Sequence, residues 1–239
     1  MNLDVRSDPE QSYKQNGFAV INALNVKQQA IISDHAKSWF RDVISQNTDK
    51  KVDQSYALED YHNWYSDCGV NHSECLRAKF RYINPEKELK NALLSEELLE
   101  FVKSVSASKG DLWNDPGLGW YGFRLIRPGM HDGYPFSCKN WGQAAGVISI
   151  WCPIIGFSEN ETLALIPGSH LIDHEAYLPD NSKFTKGELR LKREVDQGEI
   201  FRPTMEEGEV IIYHPAVLHS EDVYKSEITR LNTEYRFRA

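Results

Sequence analysis

The last third of the chain holds the residues best suited to chemistry: the run Leu163-Ala164-Leu165-Ile166-Pro167-Gly168-Ser169-His170, then His219, then Arg230 eleven positions later. Imidazole is the commonest protein ligand for a metal, and the planar fork of arginine matches a carboxylate through two parallel hydrogen bonds. Upstream, the stretch from Arg127 to Gly142 adds His131, Asp132, Ser137 and Lys139. Together these residue types suit metal coordination beside the grip of a small acid. Any one histidine alone reads equally well as a hydrogen-bonded structural residue.

The spaced set resembles the phytanoyl-CoA dioxygenase family of iron and 2-oxoglutarate oxygenases. In that family an apolar run ends in Pro-Gly-Ser-His, a later strand carries an iron-binding histidine, and an arginine about eleven residues on grips the co-substrate. The opening Gly17-Phe18-Ala19-Val20-Ile21 followed by a long helical stretch is similar to the family as well, although many α+β proteins begin that way. The resemblance implies a mainly β fold with flanking helices, a double-stranded β-helix or jelly-roll barrel of the cupin type. It also implies iron(II) and 2-oxoglutarate as cofactors, His219 as a metal ligand and Arg230 as the co-substrate residue.

The other iron ligands are not written in the family's usual way. They normally come as His-X-Asp or His-X-Glu, because side chains two apart on an extended segment project to the same side. No such pair stands between Arg127 and Gly142. Three arrangements are open. The backbone bends at Gly133 so that His131, Asp132 and His219 converge on iron. Alternatively His131 and His219 bind the metal alone, with Gly133 leaving a position for water or halide. In the third, Ser137 and Lys139 stand at the family's proximal positions, and the ammonium of Lys139 occupies a cation's place and opposes metal binding.

His214, five residues before His219, is a candidate contact to the metal's surroundings or to substrate, with a structural role the stronger expectation. His62 and His72, with Arg77 or Arg81, suit a substrate wall or simply a polar surface helix. Arg124 and Arg236 are inward polar candidates for contact with a bound acid. His219-Ser220-Glu221 is itself a His-X-Glu pair, but no histidine follows it to complete a triad.

The elements that must position these residues follow from periodicity. A short helix before Gly17, a strand at its exit, and a helix from Val26 to Ile44 capped by Asn25 open the chain. Residues 48–80 read as helix and loop over a pocket, and Leu89 to Val105 as one further helix. Strands are expected at 119–127, 146–155, 162–166, 210–213 and 230–237, with the charged stretch 180–199 an exposed loop or insertion.

Length and composition bound the rest. At 239 residues one domain spanning 1–239 is expected, and no segment approaches the ~20 apolar residues of a membrane helix. Nothing resembles an export signal at the N-terminus, so a cytoplasmic location is expected, with Cys68, Cys75, Cys138 and Cys152 as free thiols. His62, Cys68, His72 and Cys75 match no common zinc spacing. A net charge of −8 argues against a nucleic-acid partner held by phosphate neutralisation and favours a small molecule. Two functions therefore compete. One is an oxygenase acting on a small polar metabolite, which the resemblance extends to a carbohydrate or surface-polysaccharide precursor; the other is a non-catalytic or metal-free binding protein on the same barrel.

Overall fold

The computed structural model describes residues 3–48, 52–53, 55–75, 82–83, 86–106, 121–130, 132, 136–139, 147–157, 161–172, 174, 176–177, 188–191, 194–221 and 227–238. Helix α1 (Pro9–Asn16) starts at Asp8, whose carboxylate accepts from the Gln11 amide, and ends at Gly17 with φ of 82°. Strand β1 (Phe18–Asn22) leads to helix α2 (Val26–Gln46), which Asn25 and Gln28 cap reciprocally. The apolar stripe of α2, Ile32, Ala36, Phe40, Val43 and Ile44, is buried as its 3.6-residue period requires.

Short helices α3 (Tyr61–Trp64) and α4 (His72–Cys75) follow, then strand β2 (Tyr82–Ile83). The single helix expected from Leu89 to Val105 is two: α5 (Lys87–Leu93) and α6 (Glu96–Val105). Ser95 divides them, because its hydroxyl accepts from the Leu98 amide and starts a new helix. The β portion comprises β3 (Tyr121–Ile126), β4 (Ser137–Lys139), β5 (Val147–Ile155), β6 (Ala164–Leu165), β7 (Ala176–Tyr177), β8 (Glu188–Leu191), β9 (Glu209–Tyr213), β10 (His219–Ser220) and β11 (Arg230–Arg238). The expectation of an exposed loop over 180–199 is corrected: β8 lies within it and pairs with β4 and β7.

Two antiparallel sheets form the jelly roll. One has the order β1-β9-β5-β11-β3-β2, the other β6-β10-β4-β8-β7. The outer face of the first carries Ala19, Ile212, Ile150, Cys152, Tyr235, Phe237 and Phe123, which form one core with the buried faces of α2, α5 and α6. Its inner face contributes Phe18, Val20, Trp151, Ile211 and Tyr213 to a second core, where they meet Leu163 and Leu165 from the other sheet. Residues opposed across antiparallel strands share a face, so Arg124 with Asn232, Trp151 with Glu234 and Ser149 with Arg236 are inner positions too. The jelly-roll interior is thus apolar on one side and charged on the other.

The Pro-Gly-Ser-His turn is a clasp between elements. The Gly168 amide donates to Asn16 O at 2.9 Å and the His214 amide to Gly17 O at 2.8 Å. Ser169 Oγ donates to Ile166 O and accepts from the Leu218 amide, which fixes the residue next to His219. A Cβ on Gly17 would stand 2.2 Å from Val217 Cγ2 and 2.5 Å from His170 Nδ1 at a positive φ. Gly17→Ala is therefore expected to destabilise the fold by about 1–3 kcal/mol through backbone strain, with further loss if the clasp parts. Chemical denaturation of the two proteins measures it.

Candidate functional site

His219 is fully buried on β10 between Ser137 of β4 and Leu165 of β6. Its Nδ1 lies 2.6 Å from Val217 O, so the neutral ring donates there and turns Nε2 the other way as the acceptor. The Tyr213 ring stands 4.9 Å away, centroid to centroid. Arg230 begins β11 in the opposite sheet, paired with Ile126 of β3. His219 and Arg230 are consecutive in strand order yet lie in facing sheets, because a jelly roll carries the chain across between them. The spacing of eleven residues suggests neighbouring strands; the crossing is what the spacing hides.

Both side chains are buried, Arg230 at 1 % exposure. Its guanidinium donates to Glu161 O at 2.6 Å and Glu221 O at 3.3 Å, and lies 5.9 Å from the Trp151 ring centroid. Around it runs a charged network. Glu221 meets Arg124 Nε at 2.8 Å through one oxygen and accepts from Asn232 and Trp151 through the other. Glu234 accepts from Arg124, Arg236 and the Tyr213 hydroxyl. Burial and the Glu234 charge push the Tyr213 hydroxyl well above its ordinary value, so it stays a donor.

Asp132 is held by other residues. Arg127 holds its carboxylate in a fork, Nε to Oδ2 at 2.8 Å and the terminal nitrogen to Oδ1 at 2.7 Å, with the Arg127 amide adding a third bond at 2.9 Å. His72 Nε2 lies 3.1 Å from Oδ2, and the Tyr61 hydroxyl 3.1 Å from His72 Nδ1. Burial raises the tendency of Asp132 to protonate, but the Arg127 fork, His72 and the amide outweigh it and hold the group well below the usual carboxylate range. The chain Tyr61, His72, Asp132, Arg127 straps the α3–α4 segment to the exit of β3. His72 is thus buried in this strap, where a substrate wall or surface helix was expected.

Of the other candidates, His62 binds the Thr229 hydroxyl at 3.0 Å, beside the start of β11. His214 accepts from the Ala216 amide and packs against His170, whose Nε2 pairs with Lys14 O at 3.2 Å. Burial lowers the proton affinity of both rings. This is the clasp described above, with His170 anchored to α1. Ser137 is the cross-strand partner of His219, and Lys139 lies two residues further along the same strand. His131, Arg77 and Arg81 fall outside the described residues. Among the described residues no group of three His, Cys, Asp or Glu side chains is placed to hold a metal, and Cys68 and Cys152 are free buried thiols.

Glu221, Glu234, Asn232 and the Arg127–Asp132 pair are the residues the sequence reading did not foresee as a network. The signal was present in β11, where Arg230, Asn232, Glu234 and Arg236 alternate with Leu231, Thr233, Tyr235 and Phe237. Such alternation ordinarily marks a polar face in water. Here the polar face is inside.

A two-sheet jelly roll with helices on one face thus holds a histidine and an arginine buried between its sheets. Residues 129–230 match the family model described as Phytanoyl-CoA dioxygenase (PhyH). The matched stretch contains the Pro-Gly-Ser-His and His219–Arg230 modules, the segments whose spacing resembles that family. No curated protein matches by sequence at a significant level. Among solved structures, the non-heme monooxygenase ThoJ in its apo form is similar at a TM-score of 0.61 and 14% identity, covering 97% of this chain and 77% of that one. EctD from S. alaskensis in its apoform gives 0.56 and 11%, covering 98% and 76%. The epimerase SnoN, in complex with Fe3+, alpha ketoglutarate and nogalamycin RO, gives 0.56 and 10%, covering 97% and 84%. At these identities the likeness is one of fold.

Proposed function

We propose that the chain is a single-domain barrel of the oxygenase-like class that binds a small polar metabolite without an iron centre. One observation carries this reading. The carboxylate nearest in sequence to the expected iron ligands, Asp132, is committed to Arg127 and His72, while the residue opposite His219 is Ser137. A non-haem iron(II) oxygenase site takes two histidines and one carboxylate on one face of the metal. Among the described residues no three such side chains are placed together to hold a metal, Asp132 being committed to its ion pairs, and no reaction step is derived through the metal. With Ser137 and Lys139 on the strand beside His219, the third arrangement drawn from the sequence is the one this topology favours.

The iron and 2-oxoglutarate reading is favoured by a separate observation: His219 and Arg230 are both buried between the sheets, in a fold shared with SnoN, whose structure holds Fe3+ and alpha ketoglutarate. In that reading His131 joins His219, and the reaction is oxidation of a small polar metabolite such as a carbohydrate precursor. The partner is a small molecule in both readings; no helix among the described residues is long and apolar enough to cross a membrane.

Anaerobic iron(II) titration of the freshly purified chain, with and without 2-oxoglutarate, decides between them. The expected result is no stoichiometric iron and no 2-oxoglutarate-dependent absorption band. One iron per chain with such a band would restore the oxygenase.

A further inference from the structure

The charged half of the barrel interior has the donor set of a carboxylate site. Two N–H donors and one cation from three strands of one sheet converge on a single carboxylate: Asn232 Nδ2 at 2.9 Å and Trp151 Nε1 at 3.3 Å donate to Oε1 of Glu221, and Arg124 Nε stands 2.8 Å from Oε2 as an ion pair. All four residues are buried, with Glu221 at 1 % exposure and Asn232 at 0 %. The anion comes from the facing sheet: Glu221 follows β10, two residues after His219. Its backbone is fixed as well, because Arg230 donates to Glu221 O.

We infer that Arg124, Asn232 and Trp151 form a binding site for a small carboxylate, that Glu221 fills it from within, and that Glu221 is thereby the residue that excludes an external carboxylic acid from the barrel. This deepens the metal-free reading of the same interior. A buried guanidinium, amide and indole N–H each require a partner out of water, and a carboxylate offers the first an opposite charge and the other two an acceptor oxygen. With Glu221 covalently in place, an acid from solution would have to displace it and leave the displaced charge buried or drive it out to water. With the side chain removed, the donors are left facing a space of carboxylate shape and charge. Formate or acetate then restores what the substitution took away.

The test is the thermal midpoint of the full-length chain and its Glu221→Ala variant, in formate, acetate or chloride at constant ionic strength. Glu221→Ala lowers the midpoint by roughly 10 °C, as expected when a buried guanidinium loses one of its carboxylates while Asn232 and Trp151 lose their acceptor. Formate or acetate recovers a saturable part of that loss in the variant and leaves the wild type unmoved; chloride does neither. A variant unmoved by the carboxylates, or a wild type shifted equally, overturns the inference.

Glu221→Gln covers the case in which the alanine variant does not fold. It keeps the shape but sets an amide against Arg124, and in combination with Arg124→Met its loss is expected to be largely absorbed. Additive losses in Glu221→Gln, Arg124→Met and their double variant would equally overturn the inference. Iron binding by the wild type would defeat the metal-free reading without altering either outcome here, so the two failures are distinguishable.

Discussion

Replacing Asp132 by alanine is expected to lower the stability of the chain by about 3–5 kcal/mol, the range for removing one partner of a buried ion pair, and to leave its metal content unchanged and near zero. The loss follows from what stays behind. The Arg127 guanidinium, which lies 4.8 Å from the Tyr65 ring centroid, keeps its charge but loses a forked acceptor, and His72 loses its contact 3.1 Å away. Because the strap joins the α3–α4 segment to the exit of β3, limited proteolysis of the variant should cut first between residues 48 and 80. Asp132→Asn supplies the pH arm. The folded carboxyl is held well below its ordinary value. Its contribution is thus fully present above the unfolded aspartate value of about 3.9, and is lost as pH falls below that toward the folded value. The wild type should lose stability through this acid range more steeply than Asp132→Asn. Equal slopes, with stoichiometric iron lost from the alanine variant, would instead make Asp132 a ligand.

The elements with long periodic patterns were legible in the sequence. Asn25 and Gln28 announce α2, the glycine after Asn16 announces the end of α1, and β3, β5, β9 and β11 are β-branched or aromatic runs. The short strands were not. Ser137-Cys138-Lys139 has neither length nor an apolar rhythm, and it is a strand because β10 and β8 pair with it on either side. β8 was hidden in a charged stretch for the same reason. The candidate site was legible in its composition and not in its wiring. His219 and Arg230 were singled out as a pair, but a linear spacing cannot show that they belong to facing sheets. Asp132 is adjacent to His131 in sequence, which suggested a shared metal; its actual partner Arg127 lies five residues before it, across a turn whose geometry brings a backbone amide and a guanidinium to the same carboxylate.

Arg230 is where the two readings of the barrel diverge in a measurable way, since both place it inside and both make it essential. If it grips a co-substrate, Arg230→Lys should weaken 2-oxoglutarate binding by roughly 1.5–3 kcal/mol, the worth of a charged hydrogen bond that one ammonium cannot reproduce. The structure directs its guanidinium at two backbone carbonyls, Glu161 O and Glu221 O, which it ties across to β11. The expected loss therefore falls on stability. Arg230→Met should cost about 3–5 kcal/mol, because two charged hydrogen bonds of about 1.5–3 kcal/mol each are removed, the longer one at the lower end, and two carbonyls are left to find other partners. Arg230→Lys should recover part of that by reaching one carbonyl. Calorimetry with 2-oxoglutarate should give the same null heat for wild type and Arg230→Lys, while denaturation separates the three proteins in the order wild type, lysine, methionine. A wild-type affinity for 2-oxoglutarate that the lysine variant loses, at unchanged stability, would return Arg230 to the co-substrate and with it the oxygenase reading of this barrel.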